Sequence, residues 1–319
     1  LIVSSISVII FFFNSKLLIN DKNFALFVSI IFCLYPPSIF YSALILTENY
    51  IILFLLIFSF LFLKFYEKSN NFYYFIIGII LGLITLTKSA FLLFPFYFFG
   101  IIILIKIFFK QQISIIKISL LFVAYLLILT PLTIRNYYVH ESFIPTTTRL
   151  GYMLWLSNHD LSEYEALRGG YIKNQNFQNT LDEVRNNYPV KDRSRQLTIY
   201  SLEEINNNKK NFAIALLNRG KNYLSYRPNP YKNSITTNDV IMMCIWMPIL
   251  LFSVLGLLRK KSEKEVILWI IISYSFLIHL FFWGMPRFRF PTDPYFVILA
   301  SKFFYEIVLR SKLKKKLIK

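Results

Sequence analysis

Long apolar runs, separated by short charged gaps, are the feature that most restricts how this chain can fold. Runs near 20 residues match the thickness of a bilayer, where backbone polar groups must be paired inside the protein. Helices meet that demand, whereas a membrane barrel would show alternating segments of about ten residues. The sequence therefore predicts an all-α, polytopic transmembrane helix bundle with about nine spans. The predicted spans are 1–13, 24–43, 45–63, 72–87, 90–109, 113–134, 240–258, 266–283 and 291–309.

Basic residues are distributed unequally between the two sets of gaps. Among the short gaps, one set holds only Lys88, Arg287 and Arg289. The other set holds Lys16, Lys22, Lys64, Lys68, Lys106, Lys110, Lys117, Arg259, Lys260, Lys261, Lys264, Arg310, Lys312, Lys314, Lys315, Lys316 and Lys319. The positive-inside rule therefore predicts a multi-pass protein of the cytoplasmic (plasma) membrane with a cytoplasmic C-terminus. The same rule accounts for the net charge of +18, so the expected partner is the lipid bilayer and not nucleic acid.

The spans divide the chain into three predicted parts. Residues 1–134 form the N-terminal part of the bundle, residues 135–239 an extracytoplasmic loop domain, and residues 240–319 the last spans with a basic tail. Within the loop, 192–207 and 209–227 read as amphipathic helices. The apolar face expected for the second helix comprises Phe212, Leu216, Leu217, Tyr223 and Leu224, with Arg219 elsewhere. Such helices lie along the membrane surface or roof over the bundle, or they belong to a small globular loop packed on itself.

Two residues near the predicted outer ends of spans are candidates for chemistry. Glu48 begins the third span, and a carboxylate at that depth is functional by default. Its structural alternative is a first-turn residue favoured by the helix dipole, with Thr47 as the cap. Lys88 joins two spans through a very short turn, where its ammonium would bind a phosphate or pair with Glu48. The tandem Pro36–Pro37 is expected to break or kink the second span.

Arg287 and Arg289 lie one residue apart between two prolines. Two such guanidiniums suit fork-like contact with a phosphate or diphosphate, and interfacial snorkelling is the alternative. Arg135 and Asn136 end the sixth span, as ordinary helix-end residues or as residues lining a site. The three histidines His140, His159 and His279 are widely spaced, so no metal site or cofactor is predicted. A requirement for a divalent metal is an alternative that no feature of the sequence supports.

Four blocks together resemble a known family. They read LYPPSIFYSALILTENYIILFLL, GIILGLITLTKSAFLLFP, TPLTIRNYYVHESFIPTTTRLGYMLWLSNH and WGMPRFRFPTDPYFVILAS. In this order they are similar to multispan glycosyltransferases of the GT-C superfamily. Within that superfamily the blocks resemble family 39, the dolichyl-phosphate-mannose–protein mannosyltransferase-like proteins. This family includes a bacterial branch with aminoarabinose-lipid A transferase-like members.

The resemblance implies transfer of a sugar from a polyprenyl-phosphate donor to a lipid, glycan or protein acceptor outside the membrane. Lys88, Arg287 and Arg289 would then meet the donor phosphate, and Glu48, Arg135, Asn136 and Asn158 would line the site. In the family the catalytic acid lies in the first extracytoplasmic loop, which would precede Leu1. We therefore expect an N-terminally truncated chain without its base, and Glu48 is only a secondary candidate.

Three other readings remain open at this point. An O-antigen-type polymerase or ligase would also use outer arginines and a large loop. A transporter of lipid-linked sugars would show internal repeats, and none is visible in the sequence. The third reading is a non-enzymatic membrane protein or a decayed gene product.

Overall fold

The computed structural model describes residues 1–65, 71–108, 114–169, 175–231, 234–259 and 262–317. Lys68, Lys110, Lys260, Lys261 and Lys319 of the predicted basic set lie outside these residues. Every regular element in the described residues is helical, which confirms the all-α class. The α-helices are α1 Ile2–Ile19, α2 Lys22–Cys33, α3 Pro36–Ser42, α4 Thr47–Phe65, α5 Asn71–Thr87, α6 Phe94–Phe108, α7 Ile115–His140, α8 Leu150–Asn158, α9 Tyr164–Leu167, α10 Gln175–Asn187, α11 Val190–Asn207, α12 Lys209–Leu224, α13 Thr237–Leu255, α14 Glu263–Phe281, α15 Pro286–Arg289 and α16 Asp293–Leu317.

Each of the nine predicted spans overlaps at least one helix, but fewer helices meet a strict test of length and apolar character. Six helices among the described residues are long and apolar enough to cross a membrane, and a seventh counts if the bent pair α2–α3 is one span. Helix α5 has 17 residues and falls short of the required length, whereas α6 reaches it together with the 3₁₀ turn Ser89–Phe91 that precedes it. Helix α16 carries Asp293, Lys302 and Glu306 and is not among them. The polytopic class is thus confirmed with six or seven such spans.

The predicted break at the tandem prolines is confirmed. Helix α2 ends at Cys33, α3 begins at Pro36, and the two are bent by 58°. Proline lacks an N–H and has a fixed φ, so it interrupts a continuing helix but suits the first positions of a new one.

The chain separates into two compact units. Unit 1 comprises Leu1–Tyr125, Ile235–Tyr274 and Phe290–Lys319. In it α1 packs against α2 and α4, α4 against α5, and α13 against α16. Glycine at position 78 lets α5 approach α7 closely, because a Cβ there would collide with the Leu121 carbonyl oxygen.

Unit 2 comprises Leu126–Ser234 and Ser275–Arg289. Its α8, α10 and α11 surround a small core. The buried residues of that core are Trp155, Leu156, Phe177, Val184 and Leu197. Gly151 allows the close contact of α8 with α11, since a Cβ there would meet the Ser194 carbonyl. This part of the loop is therefore a small globular cluster.

Both predicted amphipathic helices are confirmed as α11 and α12, but the buried side of α12 differs from the prediction. The helix buries Ala215, Arg219, Gly220 and Tyr223, and leaves Leu217 largely exposed. These four positions follow the spacing of one helix face. The prediction placed Arg219 on the polar side because hydrophobicity alone assigns a guanidinium to water.

Candidate functional site

The described residues of unit 1 bury four carboxylates, each in the first turn of a helix, from Glu48, Asp239, Glu265 and Asp293. Glu48 in α4 is 2% exposed, and the Thr47 hydroxyl donates to its Oε2 at 3.3 Å. Asp293 begins α16 and is 1% exposed. The Tyr35 hydroxyl donates to Asp293 Oδ2 at 2.8 Å. The positive end of the helix dipole favours a carboxylate in both places, so helix geometry explains part of their burial.

The helix ends that carry Glu48 and Asp293 belong to neighbouring elements of unit 1. Helix α4 packs against the 3₁₀ turn Phe290–Thr292, which directly precedes Asp293. Burying a carboxylate costs desolvation free energy, and buried carboxylates are common in active sites. A carboxylate that caps a helix can also be buried. Glu48 therefore fits both of its predicted roles.

Lys88 lies in the short connection that the sequence predicts. Helix α5 ends at Thr87, the 3₁₀ turn Ser89–Phe91 follows, and α6 begins at Phe94. The Lys88 N–H donates to the Ile84 carbonyl, and its own carbonyl accepts from the Phe91 N–H, both at 3.0 Å. The backbone on both sides of this half-buried side chain is thus fixed.

A groove of about 480 Å³ also belongs to unit 1. Apolar side chains of α1, α2, α3 and α4 line most of it, with Asn49 and several serines at its wall. Asn49 follows Glu48 in the chain and donates to the Tyr41 carbonyl at 2.8 Å and to the Leu44 carbonyl at 3.1 Å. The first turn of α4 therefore carries the buried acid on one residue and a groove-lining amide on the next.

In unit 2 the two arginines of the PRFRFP block lie on opposite sides of a helical turn. Residues two apart in a helix point about 200° apart. In α15, Arg287 is accordingly exposed and Arg289 is 1% exposed. Arg289 Nη1 donates to the Tyr223 carbonyl at 3.1 Å and to the Ser225 carbonyl at 2.7 Å. The two guanidiniums therefore do not point to one side, although the sequence predicted that they would contact a phosphate together. The phosphate contact of each residue stays a prediction.

Arg135 and Asn136 organise the end of α7. Arg135 is exposed and donates to Asn136 Oδ1 at 3.1 Å. The buried Asn136 donates from Nδ2 to the Ile144 carbonyl at 3.0 Å and to the Thr146 carbonyl at 3.4 Å. Asn136 thereby fixes the chain reversal that follows the helix.

The fully buried Asn158 belongs to a polar cluster of unit 2 that is built around Arg219. Arg219 Nη1 donates to Asn158 Oδ1 at 2.9 Å and to the Leu280 carbonyl at 3.1 Å. Its Nη2 donates to the Ser157 carbonyl. Burial lowers the pKa of Arg219 to about 10, which still leaves the guanidinium charged at neutral pH. Asn158 itself donates to the Phe281 carbonyl at 3.2 Å.

The sequence reasoning missed Arg219, which the structure places at the ends of two helices. Its carbonyl partners Ser157 and Leu280 lie in the last turns of α8 and α14. The last carbonyls of a helix have no partner inside the helix and are good acceptors for a cation. Arg289 binds the C-terminal end of α12 in the same way. Both buried guanidiniums therefore act as helix caps in this geometry.

Among the described residues, no group of three histidine, cysteine, aspartate or glutamate side chains is arranged to hold a metal ion.

Residues 1–145 match the family model described as dolichyl-phosphate-mannose-protein mannosyltransferase. The predicted family resemblance is confirmed over this stretch. The matched stretch is 145 of the 319 residues of the chain. It covers Glu48, Lys88, Arg135 and Asn136. No curated protein and no solved structure matches the chain.

Proposed function

We propose that the protein transfers a sugar from a polyprenyl-phosphate-linked donor to an acceptor on the extracytoplasmic side of the cytoplasmic membrane. The observation that carries this proposal is the family match over residues 1–145. The unequal distribution of basic residues supports the orientation, because cytoplasmic gaps collect Lys and Arg. The acceptor belongs to the lipid, glycan or protein class.

Departure of a lipid phosphate develops negative charge at the membrane boundary. Preorganised cations stabilise such charge most in a water-poor site. In unit 1 we propose Lys88 for this role, since the backbone on both sides of it is fixed. In unit 2 we propose Arg287 as a phosphate ligand and Arg289 as its support, because Arg289 anchors the turn to the end of α12.

The acceptor hydroxyl must lose a proton as it attacks the anomeric carbon, and a carboxylate is the usual base. Glu48 is the buried carboxylate within the family match. We propose it as a site-lining residue and secondary candidate for the base. Arg135, Asn136 and Asn158 keep their proposed place as site-lining residues, with the structural contacts described above.

The groove of unit 1 suits the apolar part of the donor. Its lining is mostly apolar, and all but one of its lining residues fall within the family match. A polyprenyl chain has no hydrogen-bonding groups, so an apolar groove suits it. Because Asn49 lines the groove and follows Glu48 in the chain, a polyprenyl chain bound there would lie near the buried acid. We propose this chain as the occupant of the groove.

The proposal is tested by a transfer assay with the full-length gene product in proteoliposomes and a labelled polyprenyl-phosphate sugar, because the family resemblance places the catalytic base upstream of Leu1. We expect Lys88→Met to reduce transfer about 100-fold or more, as the loss of one preorganised charge-stabilising group does in other enzymes. Lys16→Met is the matched control, because Lys16 is exposed at the end of α1 on the predicted cytoplasmic side. Equal activity of both variants would remove Lys88 from the site. No transfer from any polyprenyl-phosphate sugar by the folded wild-type protein would overturn the proposed function.

A further inference from the structure

A second, polar groove lies within unit 2. It has a volume of about 360 Å³ and is bordered by the end of α8 and by α10 and α11. Three carboxylates line it, from Asp160, Glu183 and Glu204. No lysine or arginine stands among its described lining residues. The groove therefore has a negative potential, which favours a cation and repels phosphate or carboxylate ligands.

His159 provides the observation that distinguishes this groove from a simple acidic surface. Its side chain lines the groove and is only 5% exposed. Nδ1 lies 3.3 Å from the Trp155 carbonyl and 3.2 Å from the Leu156 carbonyl. Carbonyl oxygens only accept, so Nδ1 carries the proton and Nε2 of the neutral ring is an acceptor. Among the described residues Nε2 has no hydrogen-bond partner.

The imidazole is held in place by two aromatic rings. The ring centroid of His159 lies 4.9 Å from that of Trp155 and 5.2 Å from that of Phe177. Trp155 and Phe177 stack on each other at 4.9 Å. A buried acceptor without a partner destabilises the fold, so its retention in a fixed orientation points to a donor from outside the protein.

Two of the carboxylates are also fixed in orientation. Glu204 Oε1 accepts from the Leu161 N–H at 2.9 Å and from Asn208 Nδ2 at 3.0 Å. Glu183 Oε1 accepts from the Tyr200 hydroxyl at 2.9 Å, and this bond raises the pKa of Tyr200. Preorganised acceptors of this kind bind a cation without first losing side-chain freedom.

We infer that this groove binds a small organic cation through a primary ammonium group. An ammonium has three N–H donors and no acceptor, which complements carboxylates and an imidazole nitrogen. A bare metal ion fits less well, because the described residues hold no group of three ligating side chains at metal-binding geometry. The inference is independent of glycosyl transfer and of the residues proposed for it.

The test uses the intact protein in detergent and isothermal titration with glucosamine, ethanolamine and glucose. Glucosamine and glucose differ at one position, an ammonium against a hydroxyl, so they separate charge recognition from sugar recognition. We expect both amines to bind and glucose to bind at least about tenfold more weakly. Equal binding of glucose, displacement of the amines by stoichiometric Mg²⁺, or no binding of either amine to the folded protein would each overturn the inference.

A pair of variants tests the groove itself. Glu183→Gln removes one charge but keeps an acceptor for the Tyr200 hydroxyl, and we expect it to weaken amine binding about three- to tenfold. Glu203→Gln is the matched control, because Glu203 is exposed on the same helix as Glu204 and does not line the groove. An equal effect of both variants would mean that the general negative field binds the amine, and would contradict a built site.

Discussion

The two units bury charges of opposite sign at opposite ends of helices. Unit 1 buries the carboxylates of Glu48 and Asp293 at the beginnings of α4 and α16. Unit 2 buries the guanidiniums of Arg219 and Arg289 against carbonyls at the ends of α8, α12 and α14. Each sign complements the local end of the helix dipole. Burial of a charge is therefore weak evidence for chemistry in this protein until the helix end beside it has been considered.

The partners of the two sets differ in kind. The guanidiniums bind main-chain carbonyls, which are fixed by the helices that carry them. The carboxylates accept hydrogen bonds from the hydroxyl groups of Tyr35 and Thr47, which can turn away or exchange their protons. Arg219 and Arg289 therefore support helix ends in unit 2, whereas the hydroxyl groups that donate to Glu48 and Asp293 can be replaced by other donors.

The largest expected effect is on unit 2. Arg219→Met would leave the Asn158 side chain and the helix-end carbonyls without their donor in a buried place. We expect a loss of about 3–4 kcal/mol in the free energy of unfolding, because each unsatisfied buried acceptor costs about 1–3 kcal/mol. The measurement is resistance of the detergent-solubilised protein to proteolysis across a denaturant series.

The matched control for that variant is Arg195→Met, since Arg195 is exposed on α11. We expect it to stay within about 0.5 kcal/mol of the wild type. If both methionine variants are equally stable, the buried arginine at the helix ends of unit 2 contributes little to the free energy of unfolding. The proposed difference between the buried charges of the two units would then be wrong.

A smaller effect is expected in unit 1. Tyr35→Phe removes the hydroxyl that donates to Asp293, at an expected cost of about 1–2 kcal/mol. Tyr50→Phe is the control, because Tyr50 is exposed on α4. The sharper measurement is a double-mutant cycle: Asp293→Asn should cost less in the Tyr35→Phe background than alone. Strict additivity of the two changes would show that the bond does not stabilise the fold.

The smallest effect on stability is expected at Arg287. Arg287→Ala should change the free energy of unfolding by less than about 0.5 kcal/mol, because the side chain is exposed. The same variant should reduce transfer from a polyprenyl-phosphate sugar if the guanidinium meets the phosphate. A variant with unchanged stability and unchanged transfer would remove Arg287 from the site.

The helices could be predicted because the signals for them are local. Apolar runs of bilayer length, the tandem Pro36–Pro37 and the periodicity of α11 each lie within one stretch of sequence. Helix α10 was missed although Phe177 and Val184 are both buried on it, because a mostly polar sequence weakens the periodic signal.

The site was predicted less well because its contacts are not local. The partners of Arg219 are main-chain carbonyls of Ser157 and Leu280, and every residue type has the same carbonyl. Nothing in the sequence marks such acceptors. The spacing of Arg287 and Arg289 was visible, but an extended segment would place both on one side, whereas the turn of α15 places them on opposite sides.

The discontinuous make-up of unit 2 limits how the loop can be isolated as a soluble protein. A segment limited to 135–239 would contain Arg219 and Asn158 but would lack the carbonyls of Leu280 and Phe281. It would also lack Ser275, which accepts from the Tyr223 hydroxyl at 2.8 Å. An excised version that is meant to fold should therefore join residues 275–289 to residues 126–234 through a linker. It would then contain both Arg219 and the helix-end carbonyls that Arg219 binds.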